Sequence, residues 1–345
     1  MTWPNYRWIA VTGSNGYIAG HTVLRLKEAG YAVIGCDLIE EPNHLRDNVN
    51  LFVHGAFTCN QFIDSVVNLR CEAVIHIAGT SLVGASVADP GIYYHNNVGE
   101  TAVLMRELAK RGWSGPVVFS SSAAVYGNPT GGQALIEDQA GAPCSPYGHS
   151  KWMAEQVLAD CARAYGHGAV SLRYFNACGA DTQARHGNEK DDTHLISRIM
   201  ESMLRNETFT INGDDFDTPD GTCIRDYIHV SDLADAHLAA IDVATAGEHK
   251  AFNLGTGSGY SNREIVDTVE RITGRKVDLT FGPRRDGDPA SLTADATKFQ
   301  KQTLWRPEHS SLENIIQTAW NWYGSDSYKN YERVLARPVE FVAEG

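Results

Sequence analysis

The sequence predicts an α/β fold, a doubly wound parallel sheet of Rossmann type followed by a smaller C-terminal lobe. Three observations carry this reading. A short apolar run ends in a turn of small residues and enters a helical segment, apolar runs and helical segments then alternate through the first half, and an acid closes the second apolar run. Strands separated by helices imply parallel pairing through right-handed crossovers.

Residues 7–12 read as a buried strand, and Gly13-Ser14-Asn15-Gly16-Tyr17-Ile18-Ala19-Gly20 turns it into a helix ending near Gly30. Small residues there allow a tight turn and let a pyrophosphate approach the helix N-terminus. The strand at 31–36 ends in Asp37, placed to accept both hydroxyls of an adenosine ribose, which favours NAD over NADP. Strands follow at 49–53 and 73–78, a long helix at 89–111 and a strand at 116–120. Ligands of such sheets collect at the carboxyl ends of the strands, where Ala78-Gly79 and Ser120-Ser121-Ser122 lie. His76, inside an apolar strand, reads as a packed, hydrogen-bonded residue rather than a catalyst.

After the strand 169–174 the alternation breaks down. Polar loops are expected at 181–192 and 214–222, and amphipathic helices at 230–245 and 261–273. Neither loop resembles a flexible linker. The expected division is therefore an NAD-binding domain over 1–178 and a substrate-binding lobe over 179–345, with some segments packing back on the sheet.

The 345 residues, 43% of them hydrophobic, suffice for a large core. No apolar run approaches the roughly 20 residues of a membrane span, and the first residues lack a basic region followed by an apolar one, so a cytoplasmic protein is expected. Seven cysteines without CxxC spacing point to reduced thiols and no metal site. The net charge of −13 argues against nucleic acid. An anionic ligand must then be held by individually placed arginines, which points to Arg225 and Arg285.

The chemistry is concentrated in Ser145-Pro146-Tyr147-Gly148-His149-Ser150-Lys151. Four-residue spacing puts Tyr147 and Lys151 on one helix face. Bringing a phenol from a pKa of about 10 to roughly 7 takes ~4 kcal/mol of differential stabilisation, which a lysine and an oxidised nicotinamide could supply. The spacing alone also fits a solvated helix face.

Taken in order, these segments resemble the extended short-chain dehydrogenase/reductases, and within them the UDP-glucose 4-epimerases. The blocks are Val11-Thr12-Gly13, Ile75-His76-Ile77-Ala78-Gly79, Tyr94-His95-Asn96-Asn97-Val98, the run from Phe119 to Gly127, Leu172-Arg173-Tyr174-Phe175-Asn176, the run from Asp220 to Val230, Phe252-Asn253-Leu254-Gly255-Thr256-Gly257 and Arg284-Arg285-Asp286-Gly287-Asp288. The resemblance implies a UDP-sugar 4-epimerase that interconverts UDP-glucose and UDP-galactose through a 4-keto sugar, with hydride passed to NAD and returned. Tyr147 would be the acid/base, Lys151 its tuner and ribose anchor, and Ser122 the partner of the sugar O4. NAD contacts are implied for Gly13, Asn15, Gly16, Tyr17, Ile18, Asp37, Ala78, Gly79, Asn97, Ser120, Tyr147, Lys151 and Tyr174. Sugar-nucleotide contacts are implied for Ser122, Tyr147, Asn176, His194, Leu195, Thr210, Asn212, Arg225, Arg285, Asp288 and Leu292.

Related 4,6-dehydratases carry an Asp-Glu pair just after the active-site hydroxyl, where this chain has Ala123 and Ala124, so dehydration is not expected. Ala56 stands where the family usually has an aspartate against adenine, Ser81 where it often has lysine, Asn212 where it often has phenylalanine, and the segment after Asp37 is short. Weaker NAD retention is therefore expected. A UDP-pentose or UDP-N-acetylhexosamine 4-epimerase, an NAD-sensing scaffold and a reductase are the alternative readings. Helices 89–111 and 147–165 resemble the faces through which family members dimerise, so a homodimer is expected.

Overall fold

The computed structural model describes residues 6–40, 48–128, 133–139, 141–188, 194–285 and 288–329. Five strands and their helices build the first half of the central sheet: β1 (Trp8–Thr12), α1 (Tyr17–Glu28), β2 (Ala32–Asp37), β3 (Leu51–His54), α2 (Asn60–Asn68), β4 (Ala73–His76) and, after a helical stretch, β5 (Val117–Ser122). That stretch comprises α3 (Val83–Ala88), α4 (Pro90–Tyr94), a π turn (His95–Gly99) and α5 (Glu100–Lys110). A 3-10 turn (Ala123–Tyr126), α6 (Pro146–Tyr165) and β6 (Ala169–Tyr174) follow.

The remainder runs β7 (Asn176–Cys178), α7 (Leu195–Arg205), β8 (Phe209–Asn212), β9 (Ile224–His229), α8 (Val230–Val243), β10 (His249–Leu254), β11 (Gly259–Ser261), α9 (Asn262–Thr273), β12 (Leu279–Gly282), β13 (Ser291–Leu292), α10 (Thr297–Gln302) and α11 (Leu312–Gly324).

Seven strands pair in the order β10-β6-β5-β4-β1-β2-β3, all parallel. The direction of winding reverses between β1 and β4, the point at which doubly wound sheets bind ligands. β1 is buried at every residue, as expected of a strand covered on both faces. Its side chains alternate: Ile9 and Val11 pack with Val23 and Leu26 of α1 and with Leu233 and Ala236 of α8. Trp8 and Ala10 face the opposite layer, with Phe62 of α2, Leu104 of α5 and Leu158 of α6.

A separate core lies among Ile199, Met200, Val266, Ile315 and Trp322 of α7, α9 and α11. Short strands edge this lobe. β9 pairs antiparallel with β11 and parallel with β7 and β13, and β8 pairs with β12. β10, from the second half of the chain, completes the central sheet beside β6.

The long helix expected over 89–111 is corrected to α4, a π turn and α5. A π turn inserts an extra residue into the helical repeat and is found most often at functional sites. Here it carries Asn97, whose side chain meets Thr80 in the loop after β4 and Ser150 of α6. Elsewhere the expected elements shift only at their ends; Ser261, for instance, caps α9 in a reciprocal capping box with Glu264. Of the expected loop at 181–192, residues 189–192 lie outside the described residues, as do Asp286 and Gly287 of the arginine-rich motif and residues 41–47 of the segment after Asp37.

Candidate active site

The turn between β1 and α1 is built around a glycine. Gly13 has φ +66°, and a Cβ there would lie 2.9 Å from the Ala78 Cα. Its N–H donates to the Cys36 carbonyl at 2.7 Å, which ties the turn to the end of β2. Gly16 caps α1 without a side-chain hydrogen bond, leaving the first-turn N–H groups for an anion. Asp37 is held by Asn15 N–H at 3.0 Å and Ile39 N–H at 3.1 Å. Ile18 packs on the core beneath, and Tyr17 donates its hydroxyl to the Gly179 carbonyl at 2.6 Å, linking α1 to the chain after β7. A bare helix N-terminus, a turn with no room for a side chain and an acid at the next strand end together fit a dinucleotide.

A polar column underlies this cradle. Thr12 Oγ1 meets His76 Nδ1 at 2.8 Å and accepts from Ala78 N–H at 3.1 Å, while His76 Nε2 meets Thr101 Oγ1 at 3.0 Å. Burial lowers His76 to about 3, so it is neutral, and both ring nitrogens are used in packing contacts, as the sequence suggested. Asn97 holds the next loop: its Oδ1 accepts from Thr80 N–H at 2.8 Å, and its Nδ2 donates to Thr80 O at 3.0 Å and to Ser150 Oγ at 2.9 Å. Gly79 has no room for a side chain, since a Cβ would fall 2.8 Å from Asn97 Oδ1 and 3.3 Å from Lys151 Nζ.

Helix α6 begins where its sequence requires. Ser145 Oγ accepts from Gly148 N–H at 3.2 Å and Pro146 occupies the first turn, so Tyr147 enters the helix at a fixed position. Lys151, one turn on and buried, donates to the Ser120 carbonyl at 2.8 Å and lies 4.7 Å from the Phe119 ring centre. Burial lowers its ammonium to about 8, with Glu155 opposing that effect. Tyr147 is also buried, and burial raises its phenol above the ordinary value, partly offset by a hydrogen bond with Ser122. The sequence suggested a phenol lowered by Lys151 together with an oxidised nicotinamide. The protein alone shows the reverse, because removing a phenolate from water outweighs the neighbouring dipoles and Lys151 is directed to the strand carbonyl. Ser122 ends β5 and accepts from Ala124 N–H at 3.2 Å. Ser120 Oγ meets His237 Nε2 at 3.3 Å, and the ring of Tyr174, at the end of neighbouring β6, lies tilted with its centre 6.3 Å from that of His237.

The residues assigned to the sugar nucleotide form smaller groups. Asn176, His194 and Leu195 line one cavity with Tyr227 and Trp322, and Asn176 Nδ2 donates to Asp226 O at 2.7 Å. Arg225 donates to the Ile224 and Pro289 carbonyls, both at 2.8 Å, and to Asp288 Oδ1 at 3.4 Å. Its acidic partner is thus Asp288. Asp226 is engaged elsewhere, accepting from Thr256, Gly257 and Ala294. With its amide oriented to satisfy both groups, Asn212 accepts from Arg285 Nη2 at 3.1 Å and Nε at 3.2 Å. Thr210 lies two residues earlier on β8, beside β12. Leu292 on β13 pairs with Arg225 and packs half-buried on the cluster of Ala123, Val125 and Phe175, close to Ser122 in the chain.

The chain matches the model of the NAD dependent epimerase/dehydratase family over residues 9–255. It belongs to that family. Among its relatives, the UDP-glucose 4-epimerase of Halalkalibacterium halodurans is 42% identical over 320 residues, which cover 91% of this chain and 95% of the relative. That of Azospirillum brasilense is 41% identical, with 91% of each chain covered. The crystal structure of UDP-glucose 4-epimerase from Brucella ovis in complex with NAD superposes with a TM-score of 0.87 at 40% identity, covering 92% of this chain and 98% of that one. Membership agrees with the glycine turn and with Asp37, the features that fit NAD.

Two parts of this epimerase-family site were missed in the sequence. The π turn has no signature in a single chain. The buried group of Ser121, Glu155 and Arg173 did have one, since Glu155 follows Lys151 by another four residues. Among the described residues no set of three His, Cys, Asp or Glu side chains could hold a metal, and no helix is long and apolar enough to cross a membrane.

Proposed function

We propose that this chain is a UDP-sugar 4-epimerase that interconverts UDP-glucose and UDP-galactose. The observation that carries this reading is the convergence of Tyr147, Lys151 and Ser122 at the carboxyl end of β5, beside a glycine-built cradle, with only Ala123 and Ala124 following the serine. Its roughly 40% identity to UDP-glucose 4-epimerases over nine-tenths of the chain supports it. NAD, held by the β1 turn, Asp37, Asn97 and Lys151, would supply reversible hydride acceptance at the sugar C4. Ser122 orients the sugar O4, and Tyr147 removes and returns the O4 proton. Lys151 provides the positive charge that favours the phenolate when Tyr147 acts as base. The same groups serve both directions, so no second acid is required.

Arg225 and Arg285 supply planar forks for the diphosphate, while Asn176, His194, Leu195, Thr210, Asn212 and Asp288 hold the nucleotide. Leu292 sits where it limits room around the sugar. In this reading 1–178 carries the cofactor and 179–345 the substrate, the protein is cytoplasmic with reduced thiols, and two copies pair through α4, α5 and α6, where Ile92 and Met153 are exposed. Incubation with UDP-glucose, UDP-galactose, their N-acetyl forms and UDP-pentoses, with chromatographic separation of the epimers, tests the activity. Epimerisation of the hexoses without a net change in NADH absorbance is expected. Net NADH formation would replace this reading with a dehydrogenase.

A further inference from the structure

Glu155 stands one helical turn beyond Lys151 and two beyond Tyr147 on the same face of α6. It is fully buried. Its carboxylate accepts from Arg173 Nε at 3.0 Å, from Arg173 Nη2 at 2.6 Å and from the Ser121 hydroxyl. Arg173 continues to the Tyr126 hydroxyl at 2.9 Å and the Glu137 carbonyl at 3.2 Å, and Tyr126 donates to Asn253 Oδ1 at 2.6 Å. The network therefore ties α6 to β5, β6 and β10.

A buried ion pair adds little net stability, because desolvating both charges offsets their attraction. The position of this pair suggests another role. Ser121, which Glu155 grips, lies between Ser120, whose carbonyl receives Lys151, and Ser122, which bonds Tyr147. A carboxylate at this point fixes the strand end from which both catalytic contacts are made.

We infer that Glu155 is a positioning residue: with Arg173 it locks the end of β5 against α6, and so holds in place the strand end on which Ser120 receives Lys151 and Ser122 faces Tyr147. Several groups face Lys151. From α6 come Tyr147 and Glu155, from β4 the neutral His76, from β5 the Phe119 ring and the Ser120 carbonyl, and from the π turn Asn97 across Gly79. On β6, Arg173 pairs with the Glu155 carboxylate. Glu155 is the group that opposes the effect of burial on Lys151.

The test is the variant Glu155→Gln, which retains hydrogen bonding and removes the charge. Lys151 should then lose its proton at lower pH. The alkaline midpoints of NAD affinity and of kcat should both move down by about one unit, leaving NAD binding at pH 8 roughly 5-fold weaker than in the wild type. Glu155→Asp keeps the charge but shortens the reach to Ser121 and Arg173, so its midpoint should stay while kcat falls and KM changes little. Profiles of Glu155→Gln that overlay the wild type in both readouts would overturn the inference. If Glu155→Gln does not fold, near-native kcat in both Glu155→Asp and Ser121→Ala would overturn it. The inference rests on the epimerase reading for its kcat arm alone. NAD affinity is measured without any sugar nucleotide, so an inactive wild type would defeat that reading and still leave the Lys151 midpoint to be measured.

Discussion

The side proposed to hold the cofactor and the side proposed to hold the sugar nucleotide are built in different ways. Asn97, Lys151 and Ser120 are buried, at 1%, 4% and 1% exposure, and each is held by strands or helices of the central sheet. Arg285 is exposed and meets Asn212 from a loop, and Leu292 is half-buried on a strand of two residues. In the proposed reading, the contrast teaches that proton and hydride transfer is placed by rigid elements. Recognition of the particular sugar nucleotide would then be left to short edges, where substitution disturbs little else.

The largest effect is expected at the centre of the rigid half. Tyr147→Phe keeps the packed ring and removes the mobile proton, so kcat should fall by about 10²- to 10⁴-fold while NAD and UDP affinities change little. Near-native turnover would assign the proton transfer to another group. Gly79→Ala comes next, because its Cβ would press on Asn97 Oδ1 at 2.8 Å and on Lys151 Nζ at 3.3 Å. Overpacking of this kind costs about 1–3 kcal/mol, so both the thermal midpoint and NAD affinity should drop together. Arg285→Ala on the other side should separate those readouts, raising KM for the sugar nucleotide with a stability change within about 0.5 kcal/mol. A comparable stability loss in the two variants would erase the contrast.

Acid should also act on the sheet and its flanking layers. Burial lowers His21, His76 and His237 to about 4, 3 and 4, below the value near 6.5 of an unfolded chain. The unfolded state therefore binds more protons than the folded one once the pH drops below about 6.5. Stability is full above that value and declines as the pH falls toward 4, by up to ~1.4 kcal/mol per unit for each imidazole. Denaturant titrations at pH 7, 6 and 5 measure this, and a flat profile would show that these rings protonate without unfolding the sheet. The smallest effect is expected at Leu292→Gly, a rise of about 10-fold or less in kcat/KM for UDP-N-acetylglucosamine relative to UDP-glucose. An unchanged ratio would place sugar selection elsewhere.

Much of the rigid half could be read from the chain. The order of strand, glycine turn, helix and Asp37 depends on neighbours within about 25 residues, and the Tyr147 to Lys151 spacing depends on one helical turn. The π turn was not legible, because one inserted residue only shifts the phase of the apolar pattern part-way along an otherwise continuous helical run at 89–111. The burial of Tyr147 was not legible for a different reason. Spacing shows which charge is near, whereas burial is set by the packing of α6 on the sheet.

What the sequence determined alone was local: the parallel α/β alternation, the small-residue turn after β1, the serine and proline that start α6, and the spacing that puts Tyr147 and Lys151 on one helix face. What only the tertiary structure decided was long-range. Arg225 chose Asp288, 63 residues away, over the adjacent Asp226. Asn212 met Arg285 across two short strands, and Glu155 met Ser121, 34 residues earlier. Propensity, capping and helical spacing act over a few bonds and leave their mark in the order of residues. The partner of a buried charge is fixed only when the chain closes around it, because the cost of leaving that charge unpaired arises with the loss of water.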